Sequence, residues 1–340
     1  MLRLIRVLSL ISKIKPIHTF SYSKVTSLKN FATDIYTNIQ IEQQNLNTKF
    51  FVFQPQSKSI DLIQKLKSFE LKFSQIAQIA KGSSSGNDDI FLFDIVLESK
   101  KQYRVQNKFG EFELEKDLLQ PFVYGGDIKR YEYCKYATYM LYPYDNQNAL
   151  IKTDTMSKKY PLIYQYLQDR KSLLMQRKIK LNNDDFYKFS AIRNPYTYKK
   201  PKIMIPDMQN HSRFGFDNVG LYHNASIHNV CLKQGYENLE KIILGVLNSN
   251  LFWFFVRYSS ANLGSATRLM PSYLNDFSFP KLDSHNQNLV DEIVNLVDKI
   301  LETKAKDSQS DTTTLESKID NLVYQLYELD SAEIKIIQSS

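Results

Sequence analysis

Apolar residues recur at helical spacing in several stretches of the chain. Ile60, Ile63, Leu66 and Phe69 predict a helix within 57–73, and Ile163, Leu167 and Leu174 predict one within 160–174, where Pro161 suits the first turn. Leu289, Ile293, Leu296 and Ile300, then Leu315, Ile319, Leu322 and Leu326, predict a helical pair over 289–301 and 315–329, separated by the polar linker 304–313. Residues 239–256 are apolar on all sides, which predicts one long buried helix with Trp253 in the core rather than on a stacking surface. Shorter apolar runs predict strands at 17–20, 34–42, 50–54, 90–95, 139–144, 199–206 and 220–232. Strands and helices are mixed without internal repeats, an α+β pattern.

Composition narrows the class. A length of 340 residues allows one large or two modest domains, and 43% hydrophobic with 24% charged residues is ordinary for a globular chain. Ten glycines argue against nucleotide-binding loops built on clustered glycine. Cys134 and Cys231 lie far apart, which suggests a reducing, cytoplasmic setting and no thiolate metal site. His211, His223 and His228 match no standard ligand spacing. The first 15 residues are basic and apolar, but Arg6 interrupts the run and no small-residue cleavage site follows. A helix with Leu4, Leu8 and Ile11 on one face is the simpler reading. The run from Ile242 to Val256 is too short for a membrane span and is broken at Asn248-Ser249-Asn250, so no membrane segment is expected.

Charge is unevenly placed along a chain of net charge +8. Residues 100–202 hold 21 Lys plus Arg against 11 Asp plus Glu, while residues 283–340 hold 5 against 12. A polyanion-facing middle and an acidic tail turned elsewhere fit this asymmetry; a solvated lysine-rich surface fits the middle equally well.

Four phrases carry more. They are Gly126-Asp-Ile-Lys-Arg-Tyr131, Pro201-Lys-Ile-Met-Ile-Pro-Asp207, Leu244-Gly-Val-Leu-Asn-Ser-Asn-Leu-Phe-Trp-Phe254 and Tyr273-Leu-Asn-Asp-Phe-Ser-Phe-Pro280. In this order and spacing they resemble the C-terminal target-recognition (specificity) region of TaqI-type adenine-specific DNA methyltransferases and of related fused type II restriction–modification enzymes. The resemblance implies an α+β fold: a TaqI-like specificity domain of mixed strands and helices over 55–282, followed by a helical pair in 283–340. Phe31 to Ile39 resembles the closing strands of the family's methyltransferase sheet, so residues 1–54 are expected to be the remnant of that domain's end. The implied partners are double-stranded DNA and a methyltransferase domain or subunit. S-adenosylmethionine is expected in that catalytic part and no cofactor in this chain.

The catalytic signatures of the family are missing from the sequence: a glycine-containing cofactor loop and an Asn/Asp-Pro-Pro-aromatic tetrapeptide that engages a flipped adenine. The nearest string, Arg193-Asn-Pro-Tyr196, lacks the second proline and reads as a turn. No GxSxG or HExxH is present, and a nuclease of the paired-carboxylate-plus-lysine type lacks a convincing upstream carboxylate, Asp94 being the one that could be proposed. The expectation is therefore DNA recognition without catalysis in this chain. The alternative is an active methyltransferase or restriction endonuclease with atypical motifs. For DNA contact the candidates are Lys129, Arg130 and Tyr131 in the first phrase, Arg213 beside Phe214, and Arg268 at the centre of 263–273. To these the resemblance adds Lys81 and Ser84 in the loop 81–88, and Lys199 and Lys202 at the entry to a strand. Arginine suits guanine edges and lysine suits phosphate; a plain surface or capping charge is the alternative for each.

Overall fold

The computed structural model describes residues 57–339 apart from 260, 261, 264 and 265, together with the backbone of two earlier strands. Those strands, β1 (Thr19–Lys24) and β2 (Thr37–Glu42), pair antiparallel from Thr19↔Glu42 to Lys24↔Thr37. The strand expected at 50–54 and the N-terminal amphipathic segment lie outside the described residues.

From Ser57 the chain forms a helix (Ser57–Ser68), β3 (Leu71–Lys72), a helical turn (Phe73–Ile76) and β4 (Ala77–Lys81). A five-stranded antiparallel sheet follows: β5 (Leu92–Glu98), β6 (Gln102–Asn107), β7 (Gly110–Glu115), β8 (Leu119–Phe122) and β9 (Thr138–Leu141), in the order β7-β6-β5-β9-β8. Helices Thr153–Lys159, Pro161–Asp169 and Lys171–Met175 pack on it, so that Met156, Ile163, Leu167 and Leu174 share a core with Phe93, Val105 and Leu114. The strands β10 (Lys202–Pro206), β11 (Met208–Gln209), β12 (Gly215–Asp217) and β13 (Ile227–Leu232) come next. A second antiparallel sheet, β12-β10-β13-β4, joins the start of the chain to its middle. A bent helix pair (Glu240–Asn248, Asn250–Ser259), β14 (Asn262–Leu263), β15 (Ala266–Arg268), the helix Pro271–Asp276 and β16 (Ser278–Phe279) lead to helices Gln287–Lys306, Thr313–Leu326 and Ser331–Gln338.

Where the structure departs from the sequence pattern, side chains give the reason. The helix expected over 239–256 is two helices bent by 67° about Ser249. Asn248 there exchanges two hydrogen bonds with the backbone of Phe214, and Ser249 Oγ donates to Val246 O while accepting from Phe252 N. The Ser249 bonds satisfy a carbonyl and an amide that a straight helix would have paired internally, while Asn248 caps the backbone of Phe214. No single described helix is long and apolar enough to cross a membrane, and the bent pair lies in the core. The helix over 160–174 is interrupted at Arg170, a buried guanidinium that donates to Tyr166 O and lies 3.8 Å from the Tyr166 ring centroid. The strand expected from 220 begins only at 227. Ahead of it Asp217 accepts from the amides of Val219, Gly220 and Leu221, and Gly220 has φ +88°.

The tail helices belong to the central core. Ile293, Val297, Ile300, Ile319, Val323 and Tyr327 pack with Leu66, Ile203 and the bent pair's Leu244, Phe252 and Phe255. Gly245 makes the crossing possible, because a Cβ there would sit 2.9 Å from Ile293 Cγ2 and 3.2 Å from Val297 Cγ2. The tail's acids pair with the chain's own cations: Glu333 with Lys65 at 2.8 Å, Glu316 with Arg130 at 2.6 Å and Asp298 with Lys241 at 2.5 Å.

Candidate nucleic-acid interface

The segment 207–214 links β10 to β12 and has a group of cations at each end. It leaves β10 at Pro206, pairs briefly with β15 (Met208↔Arg268, Gln209↔Thr267), and returns to the central sheet at Phe214. At its start Asp207 is fixed by its backbone: its N–H donates to Ser226 O and its carbonyl accepts from Leu269 N. The Asp207 carboxylate then collects side chains from three elements. Oδ2 accepts from Arg268 Nη2 at 3.1 Å and Nε at 3.3 Å and lies 3.8 Å from Lys81 Nζ, while Oδ1 lies 3.2 Å from His228 Nε2. Burial lowers the pKa of His228 despite the carboxylate, so the ring is neutral and its Nε2–H donates to Asp207. Arg268 and Lys81 remain 48% and 32% exposed against 12% for Asp207.

Farther along, Gln209 donates from Nε2 to Pro206 O and accepts the Arg213 amide on Oε1. Arg213 Nη1 then approaches Gly126 O at 3.4 Å, and Lys129 Nζ reaches the same carbonyl at 3.1 Å. Two cations from separate segments thus meet at one backbone oxygen. A Cβ at Gly126 would find nothing within 4 Å, so the space over this turn is open. His211 sits nearby with its pKa lowered by burial and by the charges of Arg130 and Arg213.

The remaining sequence candidates fall elsewhere. Arg130, next to Lys129, turns inward: Nε donates to Glu316 at 2.6 Å and Nη1 to Ser212 O at 3.2 Å, with a further bond to Asn248 O. Its role here is to tie the first phrase to the tail. Tyr131 is corrected to a core residue. At φ 54° its ring is fully buried, its hydroxyl donates to Gly245 O at 3.2 Å, and burial pushes its pKa up. Lys202 is also corrected: Nζ is wholly buried against Asp217, with Tyr198 O at 2.6 Å, because the register Lys202↔Asp217 sets the two side by side across β10 and β12. Neither side chain reaches the surface. Ser84 pairs by backbone with Ala191, and its hydroxyl accepts from Arg193 Nη1 at 2.9 Å. The loop around it depends on Gly82, where a Cβ would meet Asn224 O at 2.1 Å. Exposed Lys199 lines a separate cleft of about 830 Å³ with Tyr142, Tyr160, Tyr196 and Tyr222.

Other chemistry is accounted for by local structure. Asn194 is left-handed at φ 44° and starts a 3₁₀ turn, which is the turn expected at Arg193-Asn-Pro-Tyr196. Asp94 accepts from Thr138, and Asp88 accepts from Ser85 and Asn224. Among the described residues no group of three or more His, Cys, Asp or Glu is placed to hold a metal ion. Both cysteines are buried free thiols, and burial pushes Cys231 up to about 11. Sequence reasoning missed Asp207, Gln209 and His228 as organisers. The one signal was an acidic residue directly after the strand-ending Pro206.

The architecture is an α+β scaffold that brings Lys81 and Arg268 to one end of a short segment and Lys129 and Arg213 to the other. Within that class, residues 120–278 match the family described as the TaqI-like C-terminal specificity domain. The type II methyltransferase M.BstVI of Geobacillus stearothermophilus is 22% identical over 234 residues, covering 68% of this chain and 38% of the relative. The type II methyltransferase M.BanIII of Aneurinibacillus aneurinilyticus is 22% identical over 187 residues, 54% of this chain and 31% of that protein. The chain therefore spans less than two-fifths of either relative's length. In fold it is similar to the type IIL restriction–modification enzyme MmeI, solved in complex with DNA. The TM-score is 0.53 at 15% identity, covering 79% of this chain and 36% of that one.

Proposed function

We propose that this chain reads duplex DNA as the specificity part of a type II restriction–modification methyltransferase. A methyltransferase domain or subunit that holds S-adenosylmethionine makes the bond; residues 1–54 are the end of such a domain, 55–282 the recognition domain and 283–340 its helical support. The observation that carries this reading is the convergence of Lys129 and Arg213 on Gly126 O, with Lys81 and Arg268 gathered at Asp207, all organised by 207–214. Cations so held displace counterions from phosphates without first having to be ordered. The open space over Gly126 lets a sugar–phosphate backbone approach the main chain closely. The specificity-domain match and the methyltransferase relatives support the same reading.

Fluorescence anisotropy with labelled duplexes tests it. Binding at about 50 mM salt is expected, with log K falling by about 0.9 per decade of salt for each phosphate neutralised. Absence of duplex binding at that salt, with and without a methyltransferase partner, overturns the reading. Transfer of a labelled methyl group to DNA by the purified chain overturns the division of labour.

A further inference from the structure

We infer that Asp207 is a positioning residue, whose carboxylate sets Arg268 and Lys81 as a two-cation clamp for one backbone phosphate, so that this end of the segment grips the duplex without reading sequence. The inference rests on the duplex-binding reading above and adds a division of labour within it. Asp207 is immobile for reasons independent of any ligand: two backbone hydrogen bonds fix its main chain, and buried His228 holds Oδ1. That leaves Oδ2 for the cations. Arg268 Nε and Nη2 both donate to this oxygen, which occupies the side edge of the guanidinium. An arginine reading guanine through that edge would need both of those donors for O6 and N7. Lys81 Nζ, at 3.8 Å, is held by charge rather than by a formed hydrogen bond, so its donors stay directed elsewhere. Two cations that repel each other are kept together by one shared carboxylate, and two cations against one carboxylate leave the cluster with a net positive charge. An arriving phosphate oxygen gains charge-assisted bonds from both.

The idea separates cleanly from simple electrostatics. Removing a carboxylate from a DNA-facing surface strengthens phosphate binding if only net charge matters. Positioning requires the opposite sign. In the full-length chain, anisotropy is measured on several unrelated duplexes over a salt series. The wild-type titration comes first, and failure there rejects duplex binding itself rather than the role of Asp207. Given binding, Asp207→Asn is expected to weaken it about tenfold and to lower the salt slope by about 0.9, one phosphate contact. Arg268→Ala is expected to weaken every duplex by a similar factor, leaving their ranking intact. In the Arg268→Ala background, Asp207→Asn should cause a smaller loss than in the wild type, the remainder being its hold on Lys81. Thermal melting checks the fold of each variant. Should Asp207→Asn fail to fold, Lys81→Ala and Arg268→Ala carry the test: cations on one phosphate give a double variant less impaired than the product of the single losses. Unchanged or tighter binding by folded Asp207→Asn overturns the inference. So does a changed ranking of duplexes with Arg268→Ala, or full additivity of the two cation variants.

Discussion

Adjacent residues of one type have opposite fates in this chain, and the difference lies in partners the sequence does not display. Lys129 is exposed, whereas Arg130 is enclosed by Glu316, Ser212 O and Asn248 O, acceptors that lie 82 or more residues away. A cationic motif was legible; which cation faces solvent was not. Buried titratable groups give this scale its prediction. His223 is wholly buried, donates from Nδ1 to Asn224 O and accepts from Asn229 on Nε2, and burial with the charge of Lys202 lowers its pKa to about 3. The unfolded chain therefore binds a proton near pH 6.5 that the native state refuses. His223 contributes stability that is present above that pH and lost as pH falls towards 3, at a limiting slope of about 1.4 kcal/mol per unit. Asp320 works the other way. Burial raises it to about 6, against bonds from Asn250 and the charge of Arg130, so its protonation favours the native state between about pH 4 and 6. Urea unfolding from pH 7 to 4 should show Asp320→Asn losing stability with falling pH more steeply than wild type, and His223→Gln less steeply. Parallel curves for all three proteins would reject both assignments.

Elements with a long apolar period were legible, and those defined by turns or by distant hydrogen bonds were not. The tail helices and the helix from Ser57 follow their 3–4 spacing. The hairpin β6–β7 escaped notice although Glu111-Phe-Glu-Leu-Glu115 alternates, because only Val105 and Leu114 are fully buried on it and its turn glycine, Gly110 at φ +120°, stands alone. The break at Ser249 was visible as Asn248-Ser249-Asn250, yet its cause is the embrace of Phe214, which only the fold supplies. Gly245 is where the bent pair crosses the first tail helix, against Ile293 and Val297, a role its place in an apolar run does not display. Gly245→Val places carbon against Ile293 and Val297, fully buried β-branched side chains. A loss of about 1–3 kcal/mol is expected in urea denaturation, whereas Gly126→Val, with open space around it, should leave the unfolding midpoint unchanged. Equal midpoints for the two variants would show that the crossing tolerates a side chain.

At the scale of the whole molecule the charge asymmetry was read correctly in sign and only partly in meaning. What the acidic tail faces is the chain's own Lys65, Arg130 and Lys241, and through Arg130 its Glu316 lies close to Ser212 in the segment 207–214. Its apolar face completes a core whose other side is the bent helix pair, and that pair in turn holds Phe214 and Arg130 beside the cations. Loss of the tail therefore reaches the proposed interface by two routes. It opens the core that the bent pair shares with the tail, where each large apolar side chain contributes on the order of 1.5–3 kcal/mol through burial, against a net stability of about 5–15 kcal/mol for a whole domain. It also removes Glu316 from Arg130 and Asp320 from Asn250. A chain ending at residue 285 is expected to lose cooperative thermal unfolding and, with it, duplex binding. Glu316→Gln, which keeps the packing and removes only the charge, should unfold cooperatively while binding DNA more weakly, because Arg130, left with Ser212 O and Asn248 O, holds the turn that carries Lys129 less firmly. A truncated chain that melts cooperatively and binds duplex like the full chain would mean that the tail is an appendage, and that the cations are held by the sheets alone.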